Sequence, residues 1–180
     1  TPTTLGVQLT GALTATGIET LAINSAALGG DTLLTTAANA DGGVALTVTD
    51  TALKTLTVTG STLVDLDGSA LSATVKTVDA AATTGGVFID GSLIADTTTS
   101  AAGGTSSVSI TMGSGNDKIT TLLGTVNTTV DLGDGNNILT VNGDLGAAGS
   151  AAIEAISITA GSGNDSIDLS ADTSLAAIST

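Results

Sequence analysis

The chain has no cysteine, histidine, arginine, tryptophan or tyrosine, and only one phenylalanine, one proline and one methionine in 180 residues. Each absence removes a class of chemistry. Without cysteine there is no disulfide, thiol nucleophile or zinc–thiolate site. Without histidine there is no Ser-His-Asp triad, and the usual ligand for zinc, copper or haem is missing. Without arginine there is no bidentate clamp for phosphate or carboxylate. Three lysines stand against 17 acidic residues, for a formal net charge of -14. Phosphate neutralisation and base stacking therefore both lack their residues, and no nucleic-acid partner is expected. No apolar run is long enough for a membrane-spanning helix, so membrane insertion is not expected either. The opening Thr1-Pro2-Thr3-Thr4 is neither an initiator methionine nor a signal peptide, as expected of a segment of a longer protein.

What remains is apolar and small. Mean hydropathy is +0.47, too high for a disordered acidic tail. A core of Ala, Val, Leu and Ile has little bulk, whereas a globule of this size usually fills its centre with aromatic rings. A thin, elongated core needs none, which points to a solenoid. Thr, Val and Ile favour a pleated surface. Apolar and polar residues alternate over 44–49, 108–112 and 128–132, with period 2. The glycine pairs Gly29-Gly30, Gly42-Gly43, Gly85-Gly86 and Gly103-Gly104 read as positive-φ turns between strands. Helical readings of 92–100 and 147–155 are interrupted by glycine or threonine and carry little weight.

Two units repeat. One is a strand with a charged second position: Ile18-Glu19-Thr20-Leu21-Ala22-Ile23, Leu53-Lys54-Thr55-Leu56-Thr57-Val58, Val75-Lys76-Thr77-Val78-Asp79-Ala80 and Ile153-Glu154-Ala155-Ile156-Ser157-Ile158. The charged positions read as a solvated face that stacks opposite charges between coils. The other is Leu66-Asp67-Gly68-Ser69-Ala70-Leu71, matched by Ile89-Asp90-Gly91-Ser92-Leu93-Ile94. The offsets, 53 to 75 and 67 to 90, give a period near 22 and about eight coils. The expected fold is all-β: a right-handed parallel β-solenoid in one continuous stack.

The sharpest signal lies in the C-terminal half. Met112-Gly113-Ser114-Gly115-Asn116-Asp117-Lys118-Ile119, Leu132-Gly133-Asp134-Gly135-Asn136-Asn137-Ile138-Leu139 and Ala160-Gly161-Ser162-Gly163-Asn164-Asp165-Ser166-Ile167 align without gaps. Glycines let the backbone turn tightly and point carbonyls inward, and aspartate adds a hard anionic oxygen. Stacked turns of this kind offer oxygens from two levels, the ligand set of Ca²⁺ rather than of Mg²⁺ or a soft metal. The alternative is a plain solenoid corner with no metal. Asp31, Asp41, Asp67 and Asp90 read as ordinary turn formers.

These segments resemble the RTX, or haemolysin-type, calcium-binding nonapeptide repeat G-G-x-G-x-D-x-U-x, which builds a parallel β-roll. The resemblance covers about 106–170. It implies Asp117 and Asp165 as carboxylate ligands, with backbone carbonyls around Gly113, Ser114, Gly115 and Asn116, around Gly133, Asp134, Gly135 and Asn136, and around Gly161, Ser162, Gly163 and Asn164. The sequence departs from the repeat in three ways. Met112, Leu132 and Ala160 replace its first glycine. Asn137 replaces the aspartate of the middle copy, which removes a charge and weakens that site unless Asp131 or Asp134 compensates. The copies stand at 113, 133 and 161 rather than in tandem. Three turns would make two inter-turn sites.

The whole chain is similar to RTX-type bacterial surface-layer (S-layer) proteins and giant RTX adhesins, a group exported by type I secretion. That similarity implies coils without a clear calcium motif over 1–105, continuous with calcium-binding coils over 106–180. It also implies an extracellular location at the bacterial cell surface, self-association into a sheet, tube or filament, and an envelope-glycan anchor outside this segment. The function implied is structural, with folding and assembly on Ca²⁺ binding. A stalk or extender domain of an adhesin is the alternative. Ice binding by T-x-T ranks is disfavoured, because Thr14-Ala15-Thr16, Thr47-Val48-Thr49 and Thr57-Val58-Thr59 are 33 and 10 residues apart, not one coil. Catalysis is not expected: Asp65 and Asp67 mimic a glycosidase pair but have no aromatic platform beside them.

Overall fold

The computed structural model describes residues 9–14, 16–25, 44–67, 69–71, 74–91, 107–121, 127–142 and 156–170. They form fourteen strands and, among the described residues, no helix: β1 (Leu9–Thr14), β2 (Thr20–Ser25), β3 (Val44–Asp50), β4 (Thr55–Gly60), β5 (Val64–Asp65), β6 (Ala70–Leu71), β7 (Thr77–Thr83), β8 (Val87–Gly91), β9 (Ser107–Thr111), β10 (Lys118–Thr121), β11 (Asn127–Asp131), β12 (Ile138–Val141), β13 (Ile156–Thr159) and β14 (Ser166–Asp168). One sheet runs β1-β3-β5-β8-β10-β12-β14, with β6 also against β3; the other runs β13-β11-β9-β7-β4-β2. Every pairing is parallel. Consecutive strands change sheet at each step, except between β5 and β6. This alternation is compatible with a parallel β-solenoid or roll.

Aliphatic columns explain why these segments become strands. Register places Leu21, Leu56, Val78, Ile110, Val130 and Ile158 in one column of the second sheet. Ile89, Ile119, Leu139 and Ile167 form a column in the first. One buried cluster takes its side chains from both sheets. It contains no aromatic ring; Met112 is its only residue besides Val, Leu, Ile and Ala. Narrow strands bearing branched aliphatics fill the space without bulky rings, as the composition requires.

The steps between ranks are less regular than the expected period. Thr55 pairs with Thr77 and Val64 with Val87, close to 22 residues. Yet Leu9 pairs with Val44, Thr77 with Ser109, Lys118 with Ile138 and Thr128 with Ile156, at 35, 32, 20 and 28 residues. The first sheet has seven ranks among the described residues, not eight. A longer step between ranks costs little as long as each strand returns in register. Both sheets continue from 91 to 107, because β7 pairs with β9 and β8 with β10.

The charged column is real at its first three members. The Glu19 carbonyl accepts the Lys54 and Thr55 N–H groups at 2.9 and 3.0 Å, and the Lys54 carbonyl accepts those of Lys76 and Thr77 at 2.8 and 3.1 Å. Lys54 Nζ meets Glu19 Oε1 at 2.5 Å, with both side chains mostly exposed, so the pair contributes little. The fourth copy falls out of line. β13 places Ile158, not Ile156, in the Leu21 column, a displacement of two residues. A shift of two leaves the same side chains facing inward, so the apolar pattern alone is blind to it. Glu154 lies outside the described residues, as do Asp31, Asp41, Gly29, Gly30, Gly42, Gly43, Gly103, Gly104 and the two stretches with helical readings.

Several strand ends use the same device. The Oδ1 atoms of Asp50, Asp65, Asp131 and Asp168, each the last residue of its strand, accept the N–H two residues on, at 2.6 to 3.1 Å. Asp79 does the same to Ala81 where β7 bulges against β4. An Asx turn offers the backbone an alternative to the ladder and so ends or kinks the strand. Asp67 is a turn residue that also pairs with Lys118 at 2.7 Å, although Lys118 lies two ranks away, beyond β8. Gly85 and Gly86 are not the positive-φ turn the sequence suggests. A Cβ at Gly85 would lie 2.4 Å from the Thr62 carbonyl carbon, so close approach is what demands glycine there. The T-x-T pairs divide between sheets: Thr47 and Thr49 are on β3, Thr57 and Thr59 on β4.

Ile110 is fully buried in the middle of its column. Ile110→Ala should lower unfolding stability by about 2–5 kcal/mol. Glu19→Gln should change it by less than about 1 kcal/mol. Urea unfolding followed by far-UV circular dichroism measures both, since the chain has no Trp or Tyr.

Candidate functional site

The three glycine turns join β9 to β10, β11 to β12 and β13 to β14. Because β9-β11-β13 and β10-β12-β14 are successive neighbours in the two sheets, the turns stack directly on one another. The pairing of Lys118 with Ile138 and of Ile138 with Ser166 places Asp117, Asn137 and Asp165 at equivalent positions of successive ranks. The structure thus brings together all three motifs that the sequence aligns.

The glycines allow the close stacking. Gly133 and Gly161 have φ of 66° and 75°, and a Cβ at either would lie 1.8 Å from the carbonyl oxygen of the glycine one rank before. Gly135 and Gly163 repeat the arrangement against Gly115 and Gly135. The Gly113 oxygen accepts the Asp134 N–H of the next rank at 3.0 Å, whereas the Gly133 oxygen accepts from the buried Asn137 side-chain amide at 3.4 Å. Side chains complete the turn in two ladders of opposite sense. Asn116 Oδ1 accepts the Asn136 N–H at 2.8 Å, and Asn136 Oδ1 accepts the Asn164 N–H at 2.9 Å. In the other direction, Asp165 Oδ1 accepts the Asn137 N–H at 3.0 Å, Asn137 Oδ1 accepts the Asp117 N–H at 3.0 Å, and Asp117 Oδ1 accepts the Val87 N–H at 2.7 Å. The asparagine column is exposed; of the other, Asp117 and Asn137 are buried and Asp165 is half-buried.

Sequence reasoning took Asn116, Asn136 and Asn164 as carbonyl donors and missed their side-chain role. Asparagine at the same place in all three copies was the available signal. The two carboxylates expected to compensate for Asn137 have other partners: Asp131 accepts the Gly133 N–H, and Asp134 Oδ1 accepts the Ser162 N–H and hydroxyl at 3.2 and 2.5 Å. The Ser162 bonds hold the Asp134 carboxyl below the usual carboxylate range.

Asp117 is the electrostatic exception. Burial pushes its carboxyl up to about 7, partly offset by the Val87 N–H. Its Oδ2 is buried with no hydrogen-bond partner. Such an oxygen fits a hard cation. Among the described residues, however, no three acidic side chains converge on one point. Strands lie about 4.8 Å apart, so Asp117 and Asp165, two ranks apart, are too distant for one ion with ligands at about 2.4 Å to bridge. A cation between ranks would take one carboxylate from this column and otherwise amide and carbonyl oxygens. The donor set fits Ca²⁺ on those terms. Comparison with family models, with curated proteins and with solved structures returned no match.

A carboxyl raised from 3.8 in the unfolded chain to about 7 in the fold makes its ionised form unfavourable to folding. That destabilisation is present in full above pH 7 and disappears as pH falls toward 4. In chelator, the melting temperature should therefore be higher at pH 5 than at pH 8. Asp117→Asn should remove most of the difference, which separates this group from the general relief of a net charge of -14. Thermal melts by circular dichroism at the two pH values provide the check.

Proposed function

We propose that the chain is a non-catalytic structural segment of a secreted bacterial surface protein of the RTX S-layer class, located outside the cell. In this reading it is one continuous right-handed parallel β-solenoid, whose Gly-Asn-Asp turns take Ca²⁺ and which self-associates into a sheet, tube or filament. The observation that supports it most is the stacked column of turns, in which a buried carboxylate oxygen of Asp117 faces no partner.

The chain's own residues do most of the work. Gly133, Gly135, Gly161 and Gly163 let successive turns approach to backbone contact. The asparagine ladder orients the turn backbone from the exposed side. Asp117 and Asp165 hold negative oxygens at the buried side and at the end of the described stack. Calcium, when bound, supplies the positive charge that this column lacks, so binding free energy becomes folding free energy. The composition leaves no histidine, cysteine or arginine for the common catalytic constellations. Extracellular modules bind calcium at about 10⁻⁴–10⁻³ M, well above cytosolic levels, so a chain of this kind stays loose during export and sets outside.

Calcium titrated into chelator-treated protein should raise β-structure and thermal stability by circular dichroism, with light scattering rising alongside as copies assemble. Replacing Asp117 and Asp165 together with Ala should raise the half-effective calcium concentration at least about tenfold, equivalent to roughly 1.4 kcal/mol. An unchanged calcium response in that variant overturns the assignment of the turns. A β-structure response without scattering favours the stalk over the lattice.

A further inference from the structure

Asn137 occupies the place where the other two turns carry aspartate. Sequence comparison makes it a weakened ligand, but the structure gives it a different character. The side chain is fully buried, and both ends of its amide are engaged. Oδ1 accepts the Asp117 N–H at 3.0 Å, and Nδ2 donates to the Gly133 carbonyl at 3.4 Å. A carboxylate could accept the first bond but has no proton for the second. It would also place a charge between Asp117 and Asp165, about 4.8 Å from each rank, in a column where Asp117 Oδ2 already has no partner. Like charges at that spacing in a buried column are costly unless a cation joins them.

We infer that Asn137 sets the calcium demand of the turn column: it is a neutral spacer that closes the middle rank without a cation and keeps the two carboxylates apart. Its amide accepts the Asp117 N–H and donates to the Gly133 carbonyl, whereas an aspartate there would keep the first bond and leave the Gly133 oxygen to a cation. This rests on the proposed calcium reading only for the identity of the cation. The spacer role itself follows from the hydrogen bonds.

Asn137→Asp tests it. In chelator this variant should melt well below wild type. Millimolar Ca²⁺ should restore it, and the calcium-induced rise in melting temperature should exceed that of wild type. Mg²⁺ at the same concentration should not reproduce the effect. Half-effective calcium should fall roughly tenfold relative to wild type, as an added carboxylate ligand dictates. Asn137→Ala should melt below wild type in chelator and show no larger calcium-induced rise than wild type, because it loses the bonds and adds no carboxylate. The double variant Asn137→Asp with Asp165→Asn keeps two carboxylates but puts them in adjacent ranks. It should gain the calcium response even if the single variant fails to fold in chelator. A calcium response in Asn137→Asp equal to that of a responsive wild type overturns the inference and leaves the calcium reading standing. A response in the variant with none in wild type supports the inference and overturns the calcium reading of the natural chain. No response in any variant overturns both.

Discussion

The parallel hydrogen-bond ladder between successive ranks is the constraint from which the other features follow. Each strand must return beside its predecessor in register, and its backbone N–H and C=O groups find their partners one rank away rather than within the same turn of chain. The Glu19 and Lys54 carbonyls each accept from the next rank, as do those of Gly113 and Asp117. Once the ladder is set, identical positions of successive ranks fall into columns. Aliphatics in a column make the core, hydroxyls and charges in a column make the faces, and glycines in a column let the turns touch.

That column logic also explains why the side chains at the turns behave as they do. Asparagine and aspartate are short enough to reach the backbone of a neighbouring rank, and in this chain they do so in opposite directions from adjacent positions. The turn is thereby tied to the rank on either side. Asp117 Oδ2 is the buried side-chain oxygen of these turns left without a hydrogen-bond partner among the described residues; Asp67 Oδ1, outside the turns, is the other. The proposed role for calcium lies at Asp117 Oδ2, and the inferred role for Asn137 in the rest of the column.

Much of the fold was legible in the residues. Period-2 alternation and β-branched content marked the strands, and the lack of aromatic rings required a narrow core. The offset between the Asp67 and Asp90 units matches the pairing of Val64 with Val87. The unequal steps between ranks were not legible, because the length of chain between ranks is nearly free energetically while register is not. The misalignment of the Ile153 unit has a related cause: a strand displaced by two residues presents the same apolar face. Asp131 read as a carboxylate that could compensate for Asn137, and only the bonds two residues on show it, with Asp50 and Asp168, as a strand terminator.

The candidate site divides along the same line. By itself the sequence determined that three Gly-x-Gly-Asn turns exist, that their oxygens are hard and that histidine and thiolate chemistry is absent, because residue types and short spacings are local properties. Tertiary structure decided that the three turns form one column, that Asn137 lies at the rank between Asp117 and Asp165, and which carboxylate oxygen of the column is left without a partner. Those outcomes depend on which rank lies beside which. Residues 20 or 28 positions apart become neighbours only when the strands between them pair, and no local pattern states what a side chain will find one rank away.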